Sequence, residues 1–218
     1  MNVKTVKKLL IAALAAILLV VLIFTACATT EPASPPLLNA APGDGEQAKE
    51  TGLSEDVFGS AEVTSTVSVG GVLIKSQISG AYSVKGFAGF AVRMGSDAIK
   101  GLAGISGTPY VRAYDITAKK NAAIFASING EAASVGATVL GAISVELGQM
   151  SGGKFSTLPP QVVVPATIGV AQAGGRTLAV VKVLPGGATE ILQDTDENSM
   201  TVTFPITGGL ASYAVIAY

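Results

Sequence analysis

Residues 63–78 read VTSTVSVGGVLIKSQI, and this stretch decides the fold class. Val63, Ser65, Val67 and Val69 alternate with Thr64, Thr66 and Ser68, the two-residue period of a half-buried strand. Gly70-Gly71 is a turn into a second strand over 72–78, which carries Val72, Leu73 and Ile74. Toward the C-terminus the same chemistry repeats. Strands are expected at 86–94, 110–116, 138–147, 162–164, 178–184, 189–193, 199–206 and 212–218. Turns rich in Gly, Pro, Asp and Asn separate them, among them Gly174-Gly175, Pro185-Gly186-Gly187 and Gly208-Gly209. Gly95, Gly101, Gly104 and Gly107 point to loops or bulges between the third and fourth strands.

One segment breaks the pattern. Ile124, Ile128, Ala132 and Val135 fall at spacings of four, four and three, a helical stripe over 118–136. Thr117 is placed to cap its start and Gly136 to end it, while Gly130 sits inside it at a cost of ~1 kcal/mol against alanine. The expected fold is therefore mainly β: an antiparallel β-sandwich of about ten short strands with one inserted helix, 118–136. Residues 61–218 suit a single domain, large enough to build a core without metal or disulfide.

The N-terminal residues speak of location. Lys4, Lys7 and Lys8 precede residues 9–24, which contain no polar side chain, and Thr25-Ala26-Cys27 follows. A basic start, an apolar run and small residues at its end make an export signal over 1–27. Cys27 is the only cysteine, so no disulfide can staple the exported domain. Phe24-Thr25-Ala26-Cys27 resembles the lipobox of bacterial lipoproteins, with Phe24 in the place usually held by Leu. The resemblance implies acylation of Cys27 and a lipid anchor on the extracytoplasmic face of a bacterial membrane. Two other readings stay open: ordinary cleavage at Ala26-Cys27-Ala28, releasing a secreted protein, and an uncleaved transmembrane anchor over 9–26.

Residues 28–60 hold Glu31, Asp44, Glu46, Glu50, Glu55 and Asp56 against Lys49 alone, punctuated by Pro32, Pro35, Pro36 and Pro42. So acidic and apolar-poor a stretch cannot offset its ordering entropy and is expected to act as a flexible tether, spanning ~30 Å as a coil. Residues 200–218, MTVTFPITGGLASYAVIAY, resemble the closing hairpin of β-sandwich modules on bacterial cell-surface and S-layer-associated proteins. Tyr213-Ala214-Val215 matches, whereas Gly209, Leu210 and Ala211 stand where such modules carry His, Phe and Ser. That resemblance implies a fold and an outside location, with no activity attached.

Chemistry is sparse. The chain has no histidine, which removes the commonest general base and metal ligand and every Ser-His-Asp arrangement. Ser76, Ser79 and Ser83 lie near Lys75 and Lys85 without a Ser-x-x-Lys spacing, and Asp97, Asp115, Glu131, Glu146 and Glu190 are scattered through separate elements. Residues 148–154 imitate the start of a phosphate-binding loop. Phe155 replaces its magnesium-binding hydroxyl and no helix can follow, so the stretch reads as a turn. Asp194, Asp196 and Asn198 imitate the start of a calcium loop, but Ser199 stands at its glycine position and Pro205 at its bidentate glutamate, leaving a polar hairpin tip.

With ten basic and nine acidic residues, 61–218 offers no basic stripe for nucleic acid. The absence of Trp weighs against a sugar-stacking platform, although Tyr82, Tyr110, Tyr114 and Tyr218 can present amphipathic faces. The expectation is a non-catalytic, membrane-anchored envelope protein with Cys27 as its lipidation site, no cofactor and no metal. Its partners are a cell-envelope protein or a glycan, not nucleic acid or nucleotide. A solute- or glycan-binding module, using a groove between sheet and helix 118–136, is the alternative, and a hydrolase the third reading.

Overall fold

The computed structural model describes residues 63–218. The expected export signal, Cys27 and the expected tether all lie outside these residues. Among the described residues are twelve strands and two helices. Strands β1 (Thr66–Val69) and β2 (Val72–Lys75) form the expected hairpin, closed by Gly70 and Gly71 at φ 57° and 78°. Two consecutive positive φ values are what a tight hairpin turn requires, and glycine alone supplies them without strain.

The expected second strand stops early. Ser76 turns inward, its amide bonding to the Ser65 carbonyl, and the chain crosses to begin β3 (Ser79–Ser83) in another sheet. Next come β4 (Phe90–Val92), helix α1 (Ser96–Ala103), β5 (Thr108–Asp115) and helix α2 (Ala122–Ser134). The remaining strands are β6 (Thr138–Ser151), β7 (Lys154–Thr157), β8 (Val163–Gly169), β9 (Leu178–Val183), β10 (Thr189–Gln193), β11 (Thr201–Thr207) and β12 (Gly209–Ala217).

The larger sheet runs β10-β9-β12-β6-β5-β3, with β7 folded back on the far end of β6, where β12 has left it. The smaller runs β11-β8-β4. Every pairing is antiparallel except β3 with β5, which is parallel because the chain visits the smaller sheet and α1 between them. The sheets face each other across the main core, in which Tyr213, Phe90, Phe204, Ile143, Leu147 and Ile168 are fully buried. This is the expected sandwich, with a helix added as a third layer.

Helix α2 occupies the expected span, trimmed at both ends. Ile128 and Ala132 are buried against Ala179, Val181, Ala214 and Ile216 of the larger sheet. β9 and β12 are therefore buried on both faces, and β9 is apolar at every position but Lys182. The Lys182 amine reaches Glu190 at 3.3 Å. Gly136 ends α2 at φ 68°, its amide bonding to the Ala133 carbonyl and that of Ala137 to Ala132, a Schellman closure. The start differs: Asn121, not Thr117, is the capping residue, and its side chain accepts the Thr117 amide.

Gly130 is exposed, and a methyl group there would meet nothing. Gly130→Ala is expected to raise the unfolding free energy by about 0.5–1 kcal/mol, because alanine gives up less backbone entropy in a helix. Urea titration of the two chains checks it, and no gain would mean that α2 frays at its middle.

Helix α1 is a correction to the loops expected from glycine. Gly95 caps its start and Gly104, at φ 63°, its end, so two of the glycines are punctuation rather than breakers. Ile99, fully buried, ties the two turns to the main core.

Candidate functional site

Tyr110, Arg112 and Tyr114 lie on one face of β5, because Val111 and Ala113 alternate into the core. That face belongs to the side of the larger sheet on which α2 packs over β6, β9, β10 and β12. Register carries the row across the strands. Arg112 stands opposite Glu146 and Glu146 opposite Leu210, while Tyr114 stands opposite Ser144 and Ser144 opposite Ser212.

The side chains engage one another. Arg112 Nη1 lies 3.5 Å from Glu146 Oε2, and its guanidinium carbon sits 4.0 Å from the centre of the Phe155 ring. Tyr110 meets the same ring edge-on, centroids 6.2 Å apart at 72°. Phe155 can lie there because position 148 is glycine: a Cβ would collide with the ring and with the Ser156 carbonyl. Ser144 and Ser212 share a hydrogen bond of 2.9 Å between their hydroxyls. Burial pushes the Tyr114 hydroxyl above its ordinary pKa; a hydrogen bond with Ser144 opposes the shift and the Glu146 charge adds to it.

Leu210 and Ser212 carry this face into a groove of about 390 Å³ at the start of α2. Ala123 and Ile124 form one wall and the turn Leu184, Pro185, Gly186 and Gly187 the other. Leu184 and Leu210 are 39% and 42% exposed, so the groove offers apolar surface to solvent. A groove between sheet and helix is thus present at the start of the helix. A second cavity, about 340 Å³, lies beside Phe87, Leu140 and Gln172. The Lys85 and Gly86 amides at its rim donate to the Asp115 carboxylate at 2.5 and 3.1 Å.

The scattered carboxylates are each engaged by a different partner. Asp97 pairs with Lys100 on α1, Asp115 holds backbone amides, Glu131 accepts the Thr189 hydroxyl, and Glu190 pairs with Lys182. Ser76 faces Tyr82 and the Val92 amide rather than a lysine. Of the tyrosines Tyr82, Tyr110, Tyr114 and Tyr218, the first is buried and the last lies at the chain end, leaving Tyr110 and Tyr114 as the pair on one surface. Residues 148–154 are the close of β6, a Gly152-Gly153 turn with φ 56° and 75°, and the first residue of β7.

The segment 194–198 is not a hairpin tip, because β10 and β11 belong to different sheets. It is a crossover whose oxygens are committed to the chain itself. Asp194 Oδ1 accepts the Asp196 and Thr203 amides, and Asp196 Oδ2 accepts the Thr203 hydroxyl at 2.6 Å. Burial raises the Asp194 pKa, with those amides opposing. Likewise β11 and β12 do not pair with each other, so 200–218 crosses between sheets rather than closing a hairpin. Among the described residues no three acidic, His or Cys side chains gather as a metal set, and no helix is long and apolar enough to cross a membrane.

Sequence reasoning missed Arg112, Phe155, Ser144 and Ser212. The alternation Tyr110-x-Arg112-x-Tyr114 was the signal for the first; Phe155 carried none, since its seat depends on a glycine seven positions earlier. Compared with protein-family models, curated proteins and solved structures, the chain matches none of them.

Proposed function

We propose that this is a lipid-anchored extracytoplasmic protein of a bacterial envelope, holding a non-catalytic interaction domain off the membrane on an acidic tether. The observation that carries the reading is Phe24-Thr25-Ala26-Cys27, placed directly after Lys4, Lys7, Lys8 and the apolar run, in a chain with no other cysteine. Acyl chains on Cys27 supply the anchor, since firm attachment takes two or more. Residues 28–60 supply reach. The β domain supplies the working surface, and its three ion pairs, Asp97–Lys100, Arg112–Glu146 and Lys182–Glu190, stand in separate places, which favours holding a partner over performing a reaction.

Cys27→Ala is expected to abolish labelling by radioactive palmitate and to move the protein from the membrane pellet to the supernatant. Retention in the pellet with the label lost would favour an uncleaved span over 9–26, and a wild-type chain that never takes up label would sink the lipid anchor. The domain's part as a binding module draws specific support from the face around Arg112, where polar and aromatic groups are fixed on rigid strands.

A further inference from the structure

We infer that the face formed by Tyr110, Arg112, Tyr114, Glu146 and Phe155 is a binding site for an uncharged saccharide chain. The inference rests on the reading of the domain as an interaction module and names its ligand class. Three properties of the face select that class.

The first is charge. Arg112 and Glu146 are half-buried and paired at 3.5 Å, so the centre of the face carries a donor and an acceptor but no net charge. A ligand with formal charge would meet one member of the pair with the wrong sign. A neutral polyol can bond to both, its hydroxyls donating to the carboxylate and accepting from the guanidinium. The second is the mixture of rings and hydroxyls. A sugar ring presents C–H groups on its faces and hydroxyls around its edge, and Tyr110 and Phe155, both partly exposed, put aromatic surface beside the ion pair, with the partly exposed Tyr114 next to them on the same face.

The third is rigidity. Arg112 is held both by Glu146 and by the Phe155 ring, Phe155 is seated over Gly148, and all stand on paired strands. Little side-chain freedom remains to be lost on binding. The row then runs through Leu210 into the apolar groove beside α2, which extends the site along a chain-like ligand and suits an acetamido methyl group.

The test titrates the full chain in detergent micelles with cellohexaose and, separately, with the hexamer of N-acetylglucosamine, following heat and tyrosine fluorescence. Saturable binding of either sugar is expected, and a preference for the acetylated one would assign the Leu210 groove to its methyl groups. Tyr110→Ala and Arg112→Gln should each weaken binding by about tenfold, while Tyr218→Ala leaves it unchanged.

Phe155→Ala should also weaken it. Because that change could loosen β7, Arg112→Gln with an unchanged melting curve serves as the variant that keeps the question open to refutation. Absence of binding to both sugars overturns the inference, as does binding that ignores Tyr110→Ala and Arg112→Gln. A chain that takes up palmitate at Cys27 yet ignores both sugars would leave the anchored module standing and remove only this ligand.

Discussion

Tyr213→Ala is expected to lower the unfolding free energy by about 3–5 kcal/mol, the range for removing a large buried ring from a core that cannot collapse around the hole. Tyr213 is fully buried on β12, the strand that joins β9 to β6 near the middle of the larger sheet. Its ring lies 5.2 Å from that of Phe204 on the opposing sheet, inclined at 42°, so the truncation opens a void where the two sheets meet. The hydroxyl accepts the Thr207 amide at 3.0 Å, just before the chain crosses from β11 to β12.

Tyr213→Phe isolates that last contribution. It keeps the ring, leaves the Thr207 amide without its acceptor, and should cost only about 1–2 kcal/mol. Thermal and urea unfolding of the three chains decide the matter, with Tyr213→Ala melting roughly 10 °C lower. A loss below about 1 kcal/mol for Tyr213→Ala would mean the sheets do not share this core.

How much of this was legible beforehand follows from what each signal depends on. The β1–β2 hairpin was readable because alternation and Gly70-Gly71 are local facts, and α2 because Ile124, Ile128 and Ala132 recur at helical spacing. What alternation cannot say is which sheet a strand joins, since both sheets of a sandwich show the same pattern. Hence β11 and β12, adjacent in sequence, look like a hairpin and are not, and 194–198 looks like a tip and is a crossover. Helix α1 was hidden because only Ile99 of its residues is buried, too little to make a stripe. At the site, Tyr110 and Tyr114 announce a shared face. The Arg112–Glu146 pair spans 34 positions and depends on strand register, which no local pattern records.

Alkaline pH should destabilise the fold through Tyr82, by about 2–3 kcal/mol between pH ~10 and ~12. Tyr82 is buried at the point where the chain leaves the β1–β2 hairpin for the larger sheet. Its hydroxyl donates to the Ile78 carbonyl at 3.0 Å and lies 2.7 Å from Ser76 Oγ, which in turn accepts the Val92 amide. Burial pushes its pKa up to about 12, with the Ser76 hydrogen bond opposing and the nearby Tyr110 adding. In the unfolded chain the same phenol titrates near ~10.

The sign follows from proton counting. Below pH ~10 both states hold the proton and the stabilisation is fully present; above it the unfolded chain gives up a proton that the folded chain keeps. Stability therefore falls as pH rises through this window. Tyr213 and Tyr114, also raised by burial, steepen the fall in the same direction. Tyr82→Phe separates its share: it sacrifices the hydroxyl's bonds at neutral pH but flattens the alkaline slope. Urea unfolding from pH ~8 to ~12 on both chains measures the difference. Parallel slopes would show that Tyr82 ionises as freely folded as unfolded, and that the Ser76–Tyr82–Ile78 cluster is open to water.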